Sequence, residues 1–236
     1  MRTQQEIENI KKSFSDPIEI KNVLDKKEID HLLSIFENAE EKNAPLVYKN
    51  TGPITLDIQP YLNDSIIKFL LEKILDQIGP FEITAGFFFK TDYPHIIHND
   101  DTYELPDTVY KAINIPLKLE TTHLTEYPKL CFFDQFYFHG PSKFFKGEKH
   151  VDTYYNKQIY DYKDIENLTD KKFVDTEKLF THLKPQWLEG LSLHSTLDWI
   201  PGNILIFDSL RLHCASDFRK LGIKSKTAIS IFTKQI

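Results

Sequence analysis

The chain has 236 residues, a net charge of -6, an aromatic content of 13% and only two cysteines. Two cysteines are too few for a disulfide framework, and the negative charge gives no support for a surface that binds nucleic acid. We see neither a secretory leader nor an apolar run that could span a membrane, so we expect a cytoplasmic protein with a single domain over residues 1–236.

Helices are expected in the first third of the chain. Residues 3–13 have the pattern of a polar helix, and residues 17–24 alternate apolar and polar side chains as a half-buried strand does. Asp25 suits the N-cap of a second helix, whose apolar residues recur on one face. A third helix, over about 62–78, repeats this amphipathic pattern, so two amphipathic helices are expected before most of the strands.

From residue 81 onward the chain changes to short runs rich in Phe, Ile, Val and Thr. These runs predict strands over residues 81–91, 109–119, 129–134, 203–208 and 226–233. Residues 135–198, between the third and fourth of these strands, show little alternation but contain many aromatic side chains. Because aromatic residues disfavour disorder, we interpret this stretch as an ordered insertion that could act as a lid.

Two His-X-Asp triplets occur in the sequence, one at His98 and Asp100 and the other at His150 and Asp152. Residues i and i+2 of an extended segment project to the same side, so either triplet offers two metal ligands. The first lies between two strongly apolar predicted strands that could fix its position, whereas the second lies in the insertion. We therefore favour His98 and Asp100.

His213 is the candidate for a third ligand. It follows a turn at residues 199–203 and the apolar strand predicted over 203–208, so we expect it just beyond the end of a rigid element. A half-buried structural histidine is the alternative. Two imidazoles and one carboxylate form a ligand set for ferrous iron that leaves coordination positions open.

Five segments also carry a family pattern: KNVLDKKEIDHLL, HND, YKAINIPLKL, PGNILIFDSLRLH and KSKTAISIF. They span most of the chain from about residue 20 and resemble the iron(II)- and 2-oxoglutarate-dependent dioxygenases, in particular the phytanoyl-CoA hydroxylase and prolyl hydroxylase-like branches. The resemblance implies a mainly β fold with flanking N-terminal helices. This fold is a double-stranded β-helix, a cupin-like jelly roll with a metal at one open end.

The same resemblance implies that His98, Asp100 and His213 are metal ligands and catalytic residues that hold Fe(II). It further implies that 2-oxoglutarate and O2 are co-substrates, with release of succinate and CO2. The oxidised substrate is then a small molecule, an amino acid or a peptide side chain, and the protein is an oxidoreductase. The sequence assigns neither a particular substrate nor an oligomeric state.

The resemblance also implies that a basic residue on the last strand binds the distal carboxylate of 2-oxoglutarate. Lys226 and Lys224 are both available, and we favour Lys226 because Thr-Ala-Ile-Ser follows it directly, as in the family strand. A lysine lacks the two-pronged contact of arginine, so Asn114 and Thr227 are candidates to assist it. Asn114 could instead make a structural hydrogen bond to the backbone. Arg211 is also near, although a surface charge at a strand edge is its commoner role.

Two other functions remain open at this point. A cupin-like protein can keep the barrel and bind a metal or a small molecule without catalysis. A metal-dependent isomerase or hydrolase on the same scaffold is the other, and it would consume no oxygen. Release of succinate from 2-oxoglutarate distinguishes the dioxygenase from both.

Overall fold

The computed structural model describes residues 2–41, 54–101, 109–140, 165–169 and 179–236, apart from the side chains of residues 40, 41 and 166. Within these ranges the helices are α1 (Gln4–Lys11), α2 (Lys26–Glu41) and α3 (Ser65–Ile78). Each coincides with a predicted helix. Local hydrogen bonds fix two of their starts, since Thr3 and Glu6 form a capping box on α1 and Asp64 accepts from the first turn of α3.

Strands make up most of the described chain. In order they are β1 (Ile18–Ile20), β2 (Ile54–Asp57), β3 (Phe81–Thr91), β4 (Val109–Glu120), β5 (Lys129–Tyr137), β6 (Ile165–Glu166), β7 (Leu193–Asp198), β8 (Ile204–Asp208), β9 (Arg211–Ala215) and β10 (Ser225–Gln235). A six-stranded antiparallel sheet has the order β1-β8-β4-β10-β3-β2. In the second sheet β5 pairs with β6, β7 and β9.

The helices cover the outer face of the six-stranded sheet. Apolar side chains of α2 and α3 pack there against alternate residues of β4, β8 and β10, which is the burial expected of amphipathic helices on a sheet. The central contacts are made by Leu32, Phe36, Ile67, Leu70, Ile74, Ile113, Ile115, Ile206, Ile229 and Ile231. These residues form the largest core of the described chain.

The inner faces of the two sheets pack on each other. Phe132 of β5 contacts Phe207 of β8 and Ala112 of β4, and Trp199 packs with Leu205 of β8 nearby. On β8 the side chains therefore alternate between the helix-covered face and the space between the sheets, and both faces are buried. The mainly β fold with N-terminal helices is confirmed.

Four strands were not predicted. β2 is one of them, and β6 and β7 lie inside the stretch over 135–198 that was expected to be irregular, as do the last residues of β5. His213 does not follow β8 as a strand end but occupies the middle of a separate strand, β9. The five residues of β9, RLHCA, contain no Val, Ile, Thr or Phe, so they lack the composition by which the other strands were recognised.

The rest of the predicted insertion lies mainly at residues 141–164 and 170–178, outside the described residues, and so do His150 and Asp152. A role of the insertion as a lid stays a prediction, as does the single domain over residues 1–236. Among the described helices, none combines the length and the apolar character needed to cross a bilayer.

Candidate active site

The fold brings the three predicted metal ligands together. The backbone N–H of His98 donates to the carbonyl oxygen of His213 at 3.0 Å, and that of His213 donates to the carbonyl oxygen of His98 at 2.9 Å. Asp100 is held beside them because its N–H donates to the carbonyl oxygen of Ser209 at 2.7 Å. Residues more than a hundred positions apart are thus joined by reciprocal backbone hydrogen bonds.

The side chains of these residues converge on one point. The ligand atoms of His98, Asp100 and His213 all lie within 4.8 Å of one another. Nε2 of His213 is 3.3 Å from Oδ2 of Asp100, and Nε2 of His98 is 3.6 Å from Oδ1 of the same carboxylate. His213 is only 2% exposed, whereas His98 and Asp100 are partly accessible, so the cluster opens to one side.

Backbone carbonyl groups set the tautomers of both imidazoles. Nδ1 of His98 lies 2.6 Å from the carbonyl oxygen of Ile96, and Nδ1 of His213 lies 2.9 Å from that of Arg211. A carbonyl oxygen only accepts hydrogen bonds, so each Nδ1 carries the proton and each Nε2 presents its lone pair when the ring is neutral. This is the usual outer support of a metal-bound histidine, and the donor set fits a divalent ion such as Fe(II).

The carboxyl group of Asp100 is ionised in this environment. Its burial alone would raise the pKa, but the charges of His213, His98 and His95 and a hydrogen bond to His213 together lower the pKa below the ordinary value. An ionised carboxylate is the form that binds a cation. The site is therefore ready to accept a metal without first losing a proton from Asp100.

Aromatic side chains wall the inner side of the cluster. The ring of Phe207 lies 4.6 Å from that of His213 between centroids, and Phe132 lies at 6.2 Å. Both belong to the core between the two sheets. They limit water on the side of the cluster that faces the interior.

Lys226 is the second residue of β10, where it pairs with Thr91 of β3 and Leu119 of β4. It is only 5% exposed, and its Nζ lies 4.7 Å from the ring centroid of Trp199 and 4.9 Å from that of Phe218. Across the described part of the chain it has no carboxylate partner. Burial lowers the pKa of its ammonium to about 7.

The other candidates for the distal carboxylate lie elsewhere. Lys224 is exposed and precedes β10, with its backbone N–H on the carbonyl oxygen of Glu120. Thr227 follows Lys226 directly on the strand, so its side chain points to the opposite face, where it lies with Leu33 and Phe36 of α2. Thr227 as a partner of Lys226 is therefore wrong. Between the two lysines, the structure favours Lys226.

Asn114 reaches Lys226 only through another residue. Its Oδ1 accepts a hydrogen bond of 2.8 Å from Nε1 of Trp199, and its Nδ2 donates to Oγ of Ser230 at 3.3 Å. The hydrogen bonds join side chains rather than the backbone. Asn114 thus orients the indole ring beside the ammonium of Lys226.

Arg211 is not a surface charge, and that interpretation was wrong. It is buried, it donates from NH1 to the carbonyl oxygen of Phe133 at 3.1 Å, and its guanidinium lies 4.5 Å from the ring centroid of Phe136. Asp208 provides a further charge at 4.0 Å. Arg211 therefore stabilises the second sheet, and its carbonyl group orients His213.

Sequence reasoning missed Trp199, Phe218 and His182 as residues of this region. His182 interacts electrostatically with Lys226, and burial lowers the pKa of its imidazole to about 4 although the charge of Asp217 raises it. Both ring nitrogens are buried, and the backbone of His95 interacts with the ring. Trp199 was noticed only as part of a turn.

Solved structures of similar fold are numerous, whereas no family model matches the sequence and the search of curated proteins found no match. The α-ketoglutarate-dependent carbocyclase SnoK from nogalamycin biosynthesis superimposes with a TM-score of 0.53 at 10% identity, covering 99% of this chain and 84% of SnoK. The prolyl-4-hydroxylase of Pseudomonas putida gives 0.51 at 10% identity, with 93% and 92% covered.

HygX from Streptomyces hygroscopicus, solved with nickel and 2-oxoglutarate bound, gives a TM-score of 0.50 at 13% identity and covers 100% of this chain and 88% of its own. The epimerase SnoN, at 0.53 and 10% identity with 99% and 85% covered, was solved with Fe3+ and α-ketoglutarate. The predicted double-stranded β-helix is confirmed, and this chain has the fold of the iron- and 2-oxoglutarate-dependent oxygenases.

Proposed function

We propose that the chain is an Fe(II)- and 2-oxoglutarate-dependent dioxygenase that hydroxylates a small molecule, an amino acid or a peptide side chain. The observation that carries this proposal is the convergence of His98, Asp100 and His213 with both Nε2 lone pairs directed by backbone carbonyl groups. The fold adds support, because proteins of this fold hold iron and 2-oxoglutarate.

In this proposal the three side chains would hold Fe(II), which with O2 would supply the oxidation of 2-oxoglutarate to succinate and CO2 and of the substrate. A set of three protein ligands would leave further coordination positions for 2-oxoglutarate and O2. The neutral rings stay in place because their Nδ1 protons are bound to carbonyl oxygens. Asp100 contributes one negative charge, so the ion keeps a net positive charge that attracts an anionic co-substrate.

Lys226 binds the distal carboxylate of 2-oxoglutarate. Its ammonium lies between two aromatic faces, and a carboxylate is the partner that this buried cation lacks. Trp199, held by Asn114, fixes the direction from which the carboxylate approaches. Phe132 and Phe207 keep water from the inner side of the reacting centre.

Hydroxylation is the most specific part of the proposal, since proteins of this fold catalyse different reactions and include a carbocyclase and an epimerase as well as a prolyl hydroxylase. The core chemistry common to them is the consumption of 2-oxoglutarate. It can be measured without knowledge of the substrate.

The test measures succinate released from 2-oxoglutarate by the purified protein with Fe(II) in air. We expect succinate to require added Fe(II), to increase with candidate substrates of the right class and to be absent for His213→Ala. Binding of metal and 2-oxoglutarate without any succinate would contradict the proposal and indicate a binding protein. Conversion of a substrate without loss of O2 would indicate an isomerase or a hydrolase.

A further inference from the structure

Arg2 and Asp101 form a buried ion pair beside the metal ligands. NH1 of Arg2 donates to Oδ2 of Asp101 at 2.6 Å, and NH2 donates to Oδ1 at 2.8 Å. The Arg2 side chain is 3% exposed and the Asp101 side chain 0%. Planar guanidinium and carboxylate groups joined by two parallel hydrogen bonds fix each other's direction as well as their distance.

A third hydrogen bond connects this pair to the second sheet. NH1 of Arg2 also donates to the carbonyl oxygen of Phe138 at 2.6 Å, just beyond the end of β5. Helix α1 follows Arg2 and packs by Ile7 and Ile10 on Phe138 and Leu210. The arginine is therefore held from two sides and can act as a fixed anchor for Asp101.

The ion pair lies at the end of the ligand segment. His98 is fixed by its backbone pairing with His213, and the amide of Asn99 donates to the carbonyl oxygens of Tyr137 and Gly140, at 3.1 Å each. The N–H of Asp100 is held by the carbonyl oxygen of Ser209 at 2.7 Å. Asp101 follows directly, so its bidentate contact with Arg2 contributes to the direction of the Asp100 carboxylate.

Charge gives Arg2 a second effect on the same site. Without a guanidinium partner, Asp101 would be a buried carboxylate next to Asp100, at a high cost in free energy. The segment would relieve that cost by turning Asp101 toward water, and Asp100 would move with it. By neutralising the charge of Asp101, Arg2 allows that side chain to stay buried and Asp100 to stay in place.

We propose that Arg2 is a positioning residue of the metal centre, acting through Asp101 to aim Asp100 at the two imidazoles. The inference rests on the proposed function, because it requires that His98, Asp100 and His213 bind a divalent ion. Outer-shell partners of metal ligands affect metal affinity by about tenfold to a hundredfold, and we expect a loss of this size in Arg2→Ala.

The test uses Co2+ as the probe, added to metal-free protein and followed by visible absorption and calorimetry. Arg2→Ala should weaken Co2+ binding and change the absorption spectrum, because the geometry of the bound carboxylate changes. Arg2→Lys should restore part of the affinity, since lysine keeps the charge but loses the bidentate contact. Asp101→Asn should weaken Co2+ binding less than Arg2→Ala, because it loses the bidentate contact but leaves no buried carboxylate without a partner.

Phe14→Ala is the matched control. Phe14 stacks on Phe136 and Phe138 with 4.4 Å and 5.9 Å between ring centroids, so its removal loosens the packing of the segment after α1 but deletes no atom of the hydrogen bonds between Arg2, Asp101 and the carbonyl group of Phe138. We expect this variant to lower the unfolding temperature of the metal-free protein and to leave Co2+ affinity unchanged. Arg2→Ala should lower the unfolding temperature as well, because it leaves the buried carboxylate of Asp101 without its guanidinium, but unlike Phe14→Ala it should also weaken Co2+ binding.

Equal Co2+ affinity in wild type and Arg2→Ala would overturn the inference and leave the proposed function intact. Failure of the wild type to bind Co2+ would instead refute the metal centre itself, and the inference with it. If Arg2→Ala does not fold, Arg2→Lys decides the question. An unchanged affinity and spectrum in that variant would then count against a positioning role.

Discussion

The ammonium of Lys226 lies 4.7 Å from the centre of the Trp199 ring, at the end of β10 that faces the space between the sheets. The aromatic face attracts the cation but does not replace the water that burial removes, and the pKa of Lys226 falls to about 7. The charge of this lysine therefore changes near neutral pH. A bound carboxylate would stabilise the ammonium and so restore its positive charge.

Proton uptake on binding of 2-oxoglutarate is the first prediction. Above a pH of about 7 the free lysine is neutral, whereas the carboxylate complex requires the ammonium. We expect uptake of about one proton at a pH of about 8.5 and almost none at about 5.5, with affinity falling as the pH rises. Calorimetry of the Co2+-loaded protein in buffers of different ionisation enthalpy measures this number. Lys226→Arg, which stays charged, should abolish the uptake; equal uptake in both proteins would contradict the assignment.

The stability of the ligand-free protein should depend on the same lysine. Its folded pKa of about 7 is below the ordinary value of 10.5, so the unfolded chain binds more protons between these values and stability through this group rises with pH across that window. Lys226→Met, which buries no charge, should unfold at a higher temperature than the wild type below pH 7 and lose this dependence. Thermal unfolding at several pH values checks it. A Lys226→Met protein that is less stable at low pH would show that the ammonium is already compensated.

Trp199 should control the affinity for 2-oxoglutarate without affecting the metal. Trp199→Leu removes the aromatic face beside Lys226, and we expect about tenfold weaker binding of 2-oxoglutarate. Trp199→Phe keeps a face and loses only the hydrogen bond to Asn114, so its effect should be smaller and similar to that of Asn114→Ala. Titrations with 2-oxoglutarate and with Co2+ separate the two affinities. Equal losses in the Leu and Phe variants would point to packing rather than to the ring face.

The two His-X-Asp triplets provide a paired test of the metal ligands. His98→Ala removes one of the three converging ligand atoms and should abolish stoichiometric binding of Fe(II). His150→Ala alters the equivalent position of the other triplet and should leave metal content unchanged. Metal analysis after dialysis gives both values. Loss of metal in the His150 variant would reverse the choice of triplet.

A buried ion pair between Lys111 and Asp208 should dominate the stability of the junction between the N-terminal segment and the six-stranded sheet. Nζ of Lys111 donates to Asp208 at 2.5 Å and to the carbonyl oxygen of Ser13 at 2.9 Å. Lys111→Met leaves the buried carboxylate of Asp208 with only the backbone N–H of Ser15 and the guanidinium of Arg211 at 4.0 Å, and should cost about 3 kcal/mol in urea unfolding. Lys118→Met, on the same strand but in an exposed pair with Glu37, should change stability by less than about 1 kcal/mol.

For Lys111→Met, the double variant Lys111→Met/Asp208→Leu is the control, since it removes the carboxylate as well. We expect it to recover part of the lost stability, because the desolvation of two charges is avoided while Arg211 keeps its hydrogen bond to the carbonyl oxygen of Phe133. If the double variant is as unstable as the single one, the loss comes from the contacts of Lys111 with the N-terminal segment.

The sequence was most informative where periodicity is strong. The long strands β3, β4 and β10 were predicted close to their observed bounds from runs rich in β-branched and aromatic residues, and the helices α2 and α3 from apolar residues that recur on one face. β9 was not recognised, since its residues RLHCA include no Val, Ile, Thr or Phe. The prediction that Thr227 assists Lys226 could have been avoided, because successive side chains of a strand point to opposite faces.

The contact between Arg2 and Asp101 could not be predicted from the sequence. Nothing in the spacing of an arginine and an aspartate 99 positions apart indicates that they meet, since the contact is produced by the docking of α1 on the second sheet. The environment of Lys226 has the same origin. Its depth of burial depends on Trp199 and Phe218, which reach it from separate turns.

The reciprocal hydrogen bonds between His98 and His213 join main-chain atoms only, so the fold itself holds the metal donors in register. Binding of the metal ion should then require no folding of the chain. It should be fast, and chelators should reverse it. Redox-inert ions such as zinc or nickel should be exchangeable for iron on one and the same preparation of folded protein.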